Sequence, residues 1–385
     1  MNNILSQEQE TFISKISMFS EQEVKTRSKD MDEQGYFDEN LIRRLSEIGL
    51  LGATFPKEYG GLELDPLTYG YCTEEIGKSC SNTRALMTVH VSLVGETILR
   101  WGSQEQKNEW IPQMARGDKI GAFALSEENT GSNAKGIATT YIEKHNKFII
   151  NGEKKFISFG DIADFFIVIA RNNQEITAFI IERDLEGIST EPIKGLLGSR
   201  GSHVSKIYFN NVVVPADRVL GLRGSGFTYI VNTALDHGRY SIAWGALGIA
   251  QASLEEMIKY ASKREQFGKR IVENQLIQGM IGDAMTHIHA ARALCIEAGL
   301  KRRNQDTDSI IHTSMAKYYS SKIAMEIATD AVQVHGGNGC YNTFPVERFF
   351  REAKILEIIE GTSQIQQQLI AQYGLKKYSP RKTLI

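Results

Sequence analysis

The sequence predicts an α+β multidomain fold in the order helices, β module, helices. Two observations carry this. Apolar residues recur at spacings of three and four up to about residue 120 and again beyond about 225, whereas between them the period is two. The chain has 385 residues, enough for two or three regions with their own cores. The division is an all-α N-terminal region over 1–120, a β region over 121–225 and a helical bundle over 226–385.

In chain order, Ser6 and Gln9 form a capping-box pattern at the first helix. Leu41, Ile42, Leu45, Ile48 and Leu51 give an apolar helix face, and the segment from Pro56 to Gly61 a turn. Lys147–Ile150 and Glu153–Ile157 flank Asn151-Gly152, a pattern that predicts a hairpin with a tight Asn-Gly turn. Phe165–Ala170, Thr177–Glu182 and Lys206–Val214 read as strands, the last stopped by Pro215. Asn274 is placed to cap a helix with Leu276, Ile277, Met280, Ile281, Ala284, Met285 and Ile288 on one side. A second long helix runs from about Asp308 to His335 and stops at Gly336-Gly337. The tail Lys376–Ile385 reads as frayed.

Net charge is −2 and the pI about 6.5, so no bulk field attracts nucleic acid or an anionic membrane. Residues from Met1 to Glu8 carry neither a basic nor an apolar leader region, and no run of about 18 apolar residues exists. A cytoplasmic location is expected. Cys72, Cys80, Cys295 and Cys340 form no Cys-x-x-Cys pair and no zinc-ligand spacing, so free thiols and no metal are expected. His287 and His289 point to different helix faces.

Four segments carry chemistry. In Glu357-Ile358-Ile359-Glu360-Gly361-Thr362-Ser363-Gln364-Ile365-Gln366, a carboxylate in an apolar run is set to act as a base, and Gly361 admits close approach of a ligand. Thr362, Gln364 and Gln366 add neutral hydrogen-bonding groups; a capped helix end is the plainer reading. The stretch from Phe123 to Asn133 mixes one Gly with hydroxyls and amides suited to a cofactor ring or a thioester. Arg264-Glu265-Gln266-Phe267-Gly268-Lys269 offers a guanidinium for a pyrophosphate and a ring for a planar base. Gln333-Val334-His335-Gly336-Gly337-Asn338-Gly339 allows backbone contact with a phosphate or ribitol chain.

Together, in order and spacing over about residues 5 to 375, these segments resemble the acyl-CoA dehydrogenase family of flavoproteins. The resemblance implies an N-terminal helical domain, a middle orthogonal, barrel-like β domain and a C-terminal four-helix bundle. It implies FAD between the β domain and the bundle, completed by a neighbouring subunit in a homotetramer or homodimer. Phe123, Leu125, Ser126, Gly131 and Ser132 match the first flavin segment, and Phe156, Ile157 and Ser158 the second, with Phe156 where Trp is common. Arg264, Gln266 and Phe267 match the adenine-diphosphate segment, Gln333 and Gly337 the stretch reached from a second subunit, and Thr362 and Gln364 the last flavin contacts. Glu360 matches the catalytic base, which takes the α-proton while the β-hydrogen leaves as hydride to flavin N5. The flavin ribityl hydroxyl and the Glu360 backbone N–H stabilise the enolate-like charge, and Ile358 and Ile359 are expected to keep water out. A subset of the family carries its base just before the Arg of the segment matching Leu235-Asp236-His237-Gly238-Arg239; Gly238 stands there and supports Glu360. Asp236 and Arg239 match residues at the mouth for the pantetheine arm or acyl chain, a helix-surface ion pair being the alternative. Ser132 and Gly361 complete the implied substrate contacts.

Two departures from the family are Glu128-Asn129, where Pro-Gly is usual, and Asn133, where Asp is usual. Cys80–Thr88, Gly238–Gly245 and Ala353–Gly361 are similar to dehydrogenases of polyketide extender-unit pathways. That likeness implies a short hydroxyacyl or aminoacyl group on an acyl carrier protein as substrate, with Trp244 and Met87 either shortening the pocket or filling the core. The alternatives are a short-chain acyl-CoA dehydrogenase passing electrons to an electron-transfer flavoprotein, a flavin oxidase or monooxygenase, and a catalytically inert flavin-binding assembly protein. Intact Glu360-Gly361-Thr362 and Arg264-x-Gln266-Phe267 argue against the last.

Overall fold

The computed structural model describes residues 4–379; the start of the leader reading, Met1-Asn2-Asn3, and the tail beyond Ser379 lie outside the described residues. The N-terminal region holds α1 (Gln7–Phe19), α2 (Lys25–Gln34), α3 (Glu39–Glu47), α4 (Pro66–Ser79), α5 (Ser81–Met87), α6 (Glu96–Trp101) and α7 (Gln104–Ala115). The capping box forms: Ser6 Oγ accepts the Gln9 N–H at 3.2 Å and Gln9 Oε1 accepts the Ser6 N–H at 2.7 Å. Helix α3 starts on Asp38, which caps Asn40, and buries Leu41 and Leu45. Between α5 and α6, Thr88–Gly95 forms a π-helical stretch, entirely buried. Such widened turns are frequent at functional sites.

The middle region holds β1 (Gly121–Ala124), β2 (Thr140–Lys144), β3 (Lys147–Ile157), β4 (Phe165–Asn172), β5 (Glu175–Glu182), β6 (Ile188–Pro192), β7 (Ser205–Pro215) and β8 (Val219–Leu220). Their order is β6-β7-β3-β2-β4-β5-β8, with β1 parallel to β4. The expected Asn-Gly turn is absent. Strand β3 runs straight through Asn151-Gly152, where its pairing with β7 slips between Ile150 and Gly152. A Cβ on Gly152 would meet Thr139 Cα at 2.6 Å, so the glycine serves a close backbone approach within a bulge. The hairpin turn is instead His145-Asn146, both in the left-handed region (φ 50° and 57°).

The C-terminal region holds α8 (Asn232–Ala261), the ribbon β9 (Glu265–Gln266) and β10 (Lys269–Arg270), then α9 (Gln275–Arg303), α10 (Ser309–His335), α11 (Val346–Ile358) and α12 (Ser363–Tyr378). Lys376 and Lys377, expected to be frayed, are helical. Asn274 precedes α9 without capping it; its Nδ2 donates to the Ile271 carbonyl at 3.0 Å. The apolar side read for α9 is only partly covered, since Leu276 is 83% and Met285 50% exposed. Helix α8 is the central post. Its backbone meets α4 at Gly248, where a Cβ would lie 2.4 Å from the Glu74 carbonyl oxygen. No helix among the described residues is long and apolar enough to cross a membrane.

Candidate active site

The left-handed pair Glu360-Gly361 (φ 57° and 89°) links α11 to α12. A non-glycine residue in this region costs roughly 1–2 kcal/mol, so the surroundings must fix it. They do so through the carbonyls. The Glu360 carbonyl accepts from Arg239 Nε at 3.0 Å and Gln366 Nε2 at 3.3 Å. The Gly361 carbonyl accepts from Lys317 Nζ at 2.8 Å and Gln366 Nε2 at 3.1 Å. Thr362 caps α12 by accepting the Ile365 N–H.

The Glu360 carboxyl lies against the start of α8. A Cβ built on Gly238 would be 2.6 Å from Glu360 Oε2 and 2.7 Å from Leu93 Cδ2. Glu360 Oε2 is buried with no hydrogen-bond partner. The glycine at the alternative base position thus makes the room that the Glu360 carboxyl occupies. Burial pushes the Glu360 carboxyl up to about 7, although Arg239, Lys317 and Arg84 pull the other way. Burial likewise brings Lys317 down to about 8, against the pull of Glu360. The expected apolar shield differs. Ile358 is 51% exposed and Ile359 only half-buried, because α11 ends there; the carboxyl is covered by α8 and Leu93 instead. Replacing Gly238 with Ala should displace the carboxyl and slow substrate-driven flavin reduction by about 10- to 100-fold, with flavin retained, in stopped-flow measurements.

Arg239 and Asp236 do not pair with each other. Arg239 holds the Glu360 peptide, whereas Asp236 Oδ1 lies 2.6 Å from Arg302 Nη2. Asp236 lines a cavity of about 730 Å³, together with Tyr69, Ser92, Glu96, Tyr240 and Arg302. Trp244 and Met87 are wholly buried; Trp244 fills the space over Gly70, where a Cβ would meet its ring at 2.3 Å.

The two flavin segments read from the β region come together. The Lys155 N–H donates to the Ser126 carbonyl at 2.8 Å, and buried Lys154 Nζ donates to the Leu125 carbonyl at 3.1 Å and Glu127 Oε1 at 2.7 Å. Phe123, Leu125 and Ile157 are buried, Ser126 and Ser158 half-buried, and Gly131 and Ser132 exposed. Phe156 is 54% exposed at φ 60°. The departing residue Glu128 is tied to Lys155 at 2.7 Å. Gln364 is exposed on α12.

The remaining readings cluster at the far end of α8. Arg264, Gln266 and Phe267 stand on or beside the exposed β9–β10 ribbon, with Phe267 in its turn. Gln333 and Gly337 lie near the end of α10, joined to the same place by Tyr260, which stacks on His335 (4.2 Å) and accepts from Asn338 Nδ2 at 2.9 Å. The 23 residue steps from Gly238 to Ala261 span roughly 35 Å of helix. Gln333 and Gly337, read as the stretch reached from a second subunit, share in one chain an end of α8 with Arg264 and Phe267, remote from Glu360.

The residues present suit an extended flavin dinucleotide. Gly131, Gly268, Gly336 and Gly337 each have open space where a side chain would stand, and the Glu360 oxygen is unpartnered. Sequence reasoning missed Lys317, Arg84, Leu93 and the Lys154–Glu127 pair. A lysine in register with the buried positions Ser314 and Ala324 of α10 was the available signal for Lys317.

This three-part fold, with the Glu360 carboxyl set beside a long helix, is the arrangement that the resemblance implies for flavin-dependent acyl-thioester dehydrogenases. Three family profiles match the chain: the acyl-CoA dehydrogenase N-terminal domain over residues 6–118, the middle domain over 122–212 and the C-terminal domain over 224–375. The short-chain-specific acyl-CoA dehydrogenase of Clostridium acetobutylicum is 35% identical over 372 residues, covering 95% of this chain and 98% of that one. The caffeyl-CoA reductase–Etf complex subunit CarC of Acetobacterium woodii is 35% identical over 377 residues, covering 96% and 99%. Among solved structures, butyryl-CoA dehydrogenase from Megasphaera elsdenii superposes with a TM-score of 0.93 at 34% identity, covering 97% of this chain and 100% of that one. The prolyl acyl carrier protein oxidase AnaB superposes with a TM-score of 0.90 at 29% identity, covering 96% and 99%. The chain belongs to the acyl-CoA dehydrogenase family and is an FAD-dependent oxidoreductase acting on acyl thioesters.

Proposed function

We propose that the protein desaturates a short acyl-CoA thioester between Cα and Cβ and passes the electrons to an electron-transfer flavoprotein. The observation that carries this is the Glu360 carboxyl, whose Oε2 is buried, unpartnered and seated on Gly238. Its raised pKa suits a base working near neutral pH. Arg239, Gln366 and Lys317 hold the Glu360 and Gly361 carbonyls, which fixes the turn from which the Glu360 N–H is to donate to the enolate-like oxygen of the thioester. FAD, when bound, accepts the β-hydride. Phe123, Leu125, Ser126, Gly131, Ser132, Phe156, Ile157, Ser158, Thr362 and Gln364 hold its flavin end; Ser132 and Gly361 also face the thioester. Asp236 and the polar cavity beside it take the pantetheine arm.

Arg264, Gln266, Phe267, Gln333 and Gly337 serve the adenine end of FAD in a neighbouring subunit, because roughly 35 Å along α8 is too far for one dinucleotide to bridge. A dimer at least, and a homotetramer as the full assembly, follows; exposed Leu276, Met285 and Phe267 supply apolar surface for it. The similarity to enzymes named for short-chain acyl-CoA and for an Etf complex favours this reading over the carrier-protein one. The likeness to a carrier-protein oxidase keeps the carrier-protein form as the second reading. Anaerobic flavin bleaching decides between them, with one short acyl group presented on CoA and on an acyl carrier protein. Fast bleaching by the CoA form, yielding the α,β-unsaturated thioester, is expected; bleaching only by a carrier-bound hydroxyacyl or aminoacyl group would overturn it.

A further inference from the structure

One histidine ties three distant segments together beside the second flavin segment. His203 precedes β7, Asp161 lies in the turn after β3, and Phe37 stands between α2 and α3. The Phe37 N–H donates to His203 Nε2 at 3.0 Å, and His203 Nδ1 lies 3.1 and 3.2 Å from the two Asp161 oxygens. An N–H aimed at Nε2 makes that atom the acceptor, so Nδ1 carries the proton and the ring is neutral. An imidazolium would set an Nε2–H against the Phe37 N–H.

The junction is strained and closely fitted. His203 (φ 45°) and Phe159 (φ 59°) are non-glycine residues in the left-handed region, where side chains persist only if the surroundings hold them. The Phe159 N–H donates to the Ser202 carbonyl at 2.7 Å, and the buried Phe159 ring meets the Phe37 ring edge-on at 5.6 Å. A Cβ on Gly201 would lie 2.8 Å from the Tyr36 carbonyl oxygen and 3.1 Å from that of Met31, so the same loop presses on the end of α2. Ser158, the last residue of the second flavin segment, directly precedes Phe159. The other charges at the junction are engaged elsewhere. Arg27 pairs with Asp38 at 2.8 Å, and Asp32 with Arg351 of α11. Arg183 donates to the Gly160 and Ala163 carbonyls, and Arg200 to the Leu196 carbonyl. Glu352 accepts the Ser199 N–H and Asp164 the Ile120 N–H. Asp161 is the one charged side chain paired with the His203 ring among the described residues. Burial pushes its carboxyl up, but the bond to His203 holds it below the ordinary value.

We propose that His203 is a positioning residue for FAD: as a neutral imidazole it clamps the turn behind Ser158 to the α2–α3 corner, and the clamp opens when the ring is protonated. This rests on the reading that Phe156, Ile157 and Ser158 hold the flavin end. The test measures the FAD dissociation constant of the holoenzyme at about pH 8 and about pH 5.5, either side of the range in which histidines usually change charge. Wild type should bind at least about 10-fold more weakly at the lower pH, the effect of stranding one buried N–H. Excess FAD keeps the site filled over this range. His203→Gln puts an amide oxygen at the same number of bonds from Cα as Nε2, and no proton blocks it. Its affinity should therefore change by less than about 2-fold between the two pH values. His203→Ala should bind at least about 10-fold more weakly already at the higher pH. Equal wild-type affinity at both pH values, or the same acid loss in His203→Gln, overturns the proposal. Asp161→Asn serves where neither His203 variant folds. Its amide oxygen still accepts the Nδ1–H but no longer favours the imidazolium, so FAD should be retained to lower pH than in wild type. Release at the same or a higher pH overturns the proposal. Phe156→Ala isolates the underlying reading: unchanged FAD affinity there means that this segment does not hold the flavin. Hydrogen exchange of the Phe37 amide then still decides for the clamp: faster exchange in His203→Ala than in wild type supports it, and equal exchange overturns it.

Discussion

Glu360→Gln should bind FAD fully and lose substrate-driven flavin reduction by at least about 10³-fold. The substitution keeps the shape of the side chain and the two carbonyls held by Arg239, Gln366 and Lys317, so the Glu360-Gly361 turn has no reason to move. What disappears is the proton acceptor seated on Gly238. General-base groups contribute typically 10²–10⁴-fold, and Gly238, on which the carboxyl sits, has no side chain to replace it. Stopped-flow bleaching under anaerobic conditions reads the rate, and the visible flavin spectrum reads occupancy. A variant reducing at the wild-type rate would remove Glu360 from the mechanism.

Lys154→Met should lower stability by about 3 kcal/mol and loosen FAD. Lys154 is wholly buried and bonded to Glu127 and to the Leu125 carbonyl. Burial alone would raise the Glu127 carboxyl, but the Lys154 ammonium and the Ala138 and Thr139 N–H groups hold it below the ordinary value. Removing the ammonium strands a buried carboxylate under the loop that runs from Ser126 to Ser132. Denaturant melts give the stability and gel filtration the retained flavin. The double variant with Glu127→Gln should recover part of the loss, since the penalty comes from the stranded charge.

The order of helices and strands was legible because hydrophobic period is a local signal: α10 ends at His335 and β7 at Pro215, where the sequence places them. Glu360 was a candidate base from its neighbours in the chain and the resemblance they carry. What escaped depends on distant residues. Asn151-Gly152 has the local signature of a turn, yet Thr139 pressing on Gly152 makes it a bulge inside β3. Ile358 and Ile359 look like a shield in sequence, but α11 ends there and leaves Ile358 exposed. Arg84, Lys154 and Lys317 sit in segments that read as ordinary helix or strand; nothing local shows that each is buried against a carbonyl, a hydroxyl or a carboxylate from another element. Arg239 and Asp236 are neighbours in sequence, and the fold sends them to different partners.

The pH dependence of flavin reduction tests the central claim most directly. The quantity is the apparent second-order rate at low thioester concentration, with butyryl-CoA, because this rate reports the free enzyme. Burial raises the Glu360 carboxyl to about 7, and only its ionised form accepts a proton, so the rate should climb as pH rises through about 7 and then level off. A rate already flat from about pH 5.5 upward would mean an ordinary carboxylate or a different base, and would contradict the account.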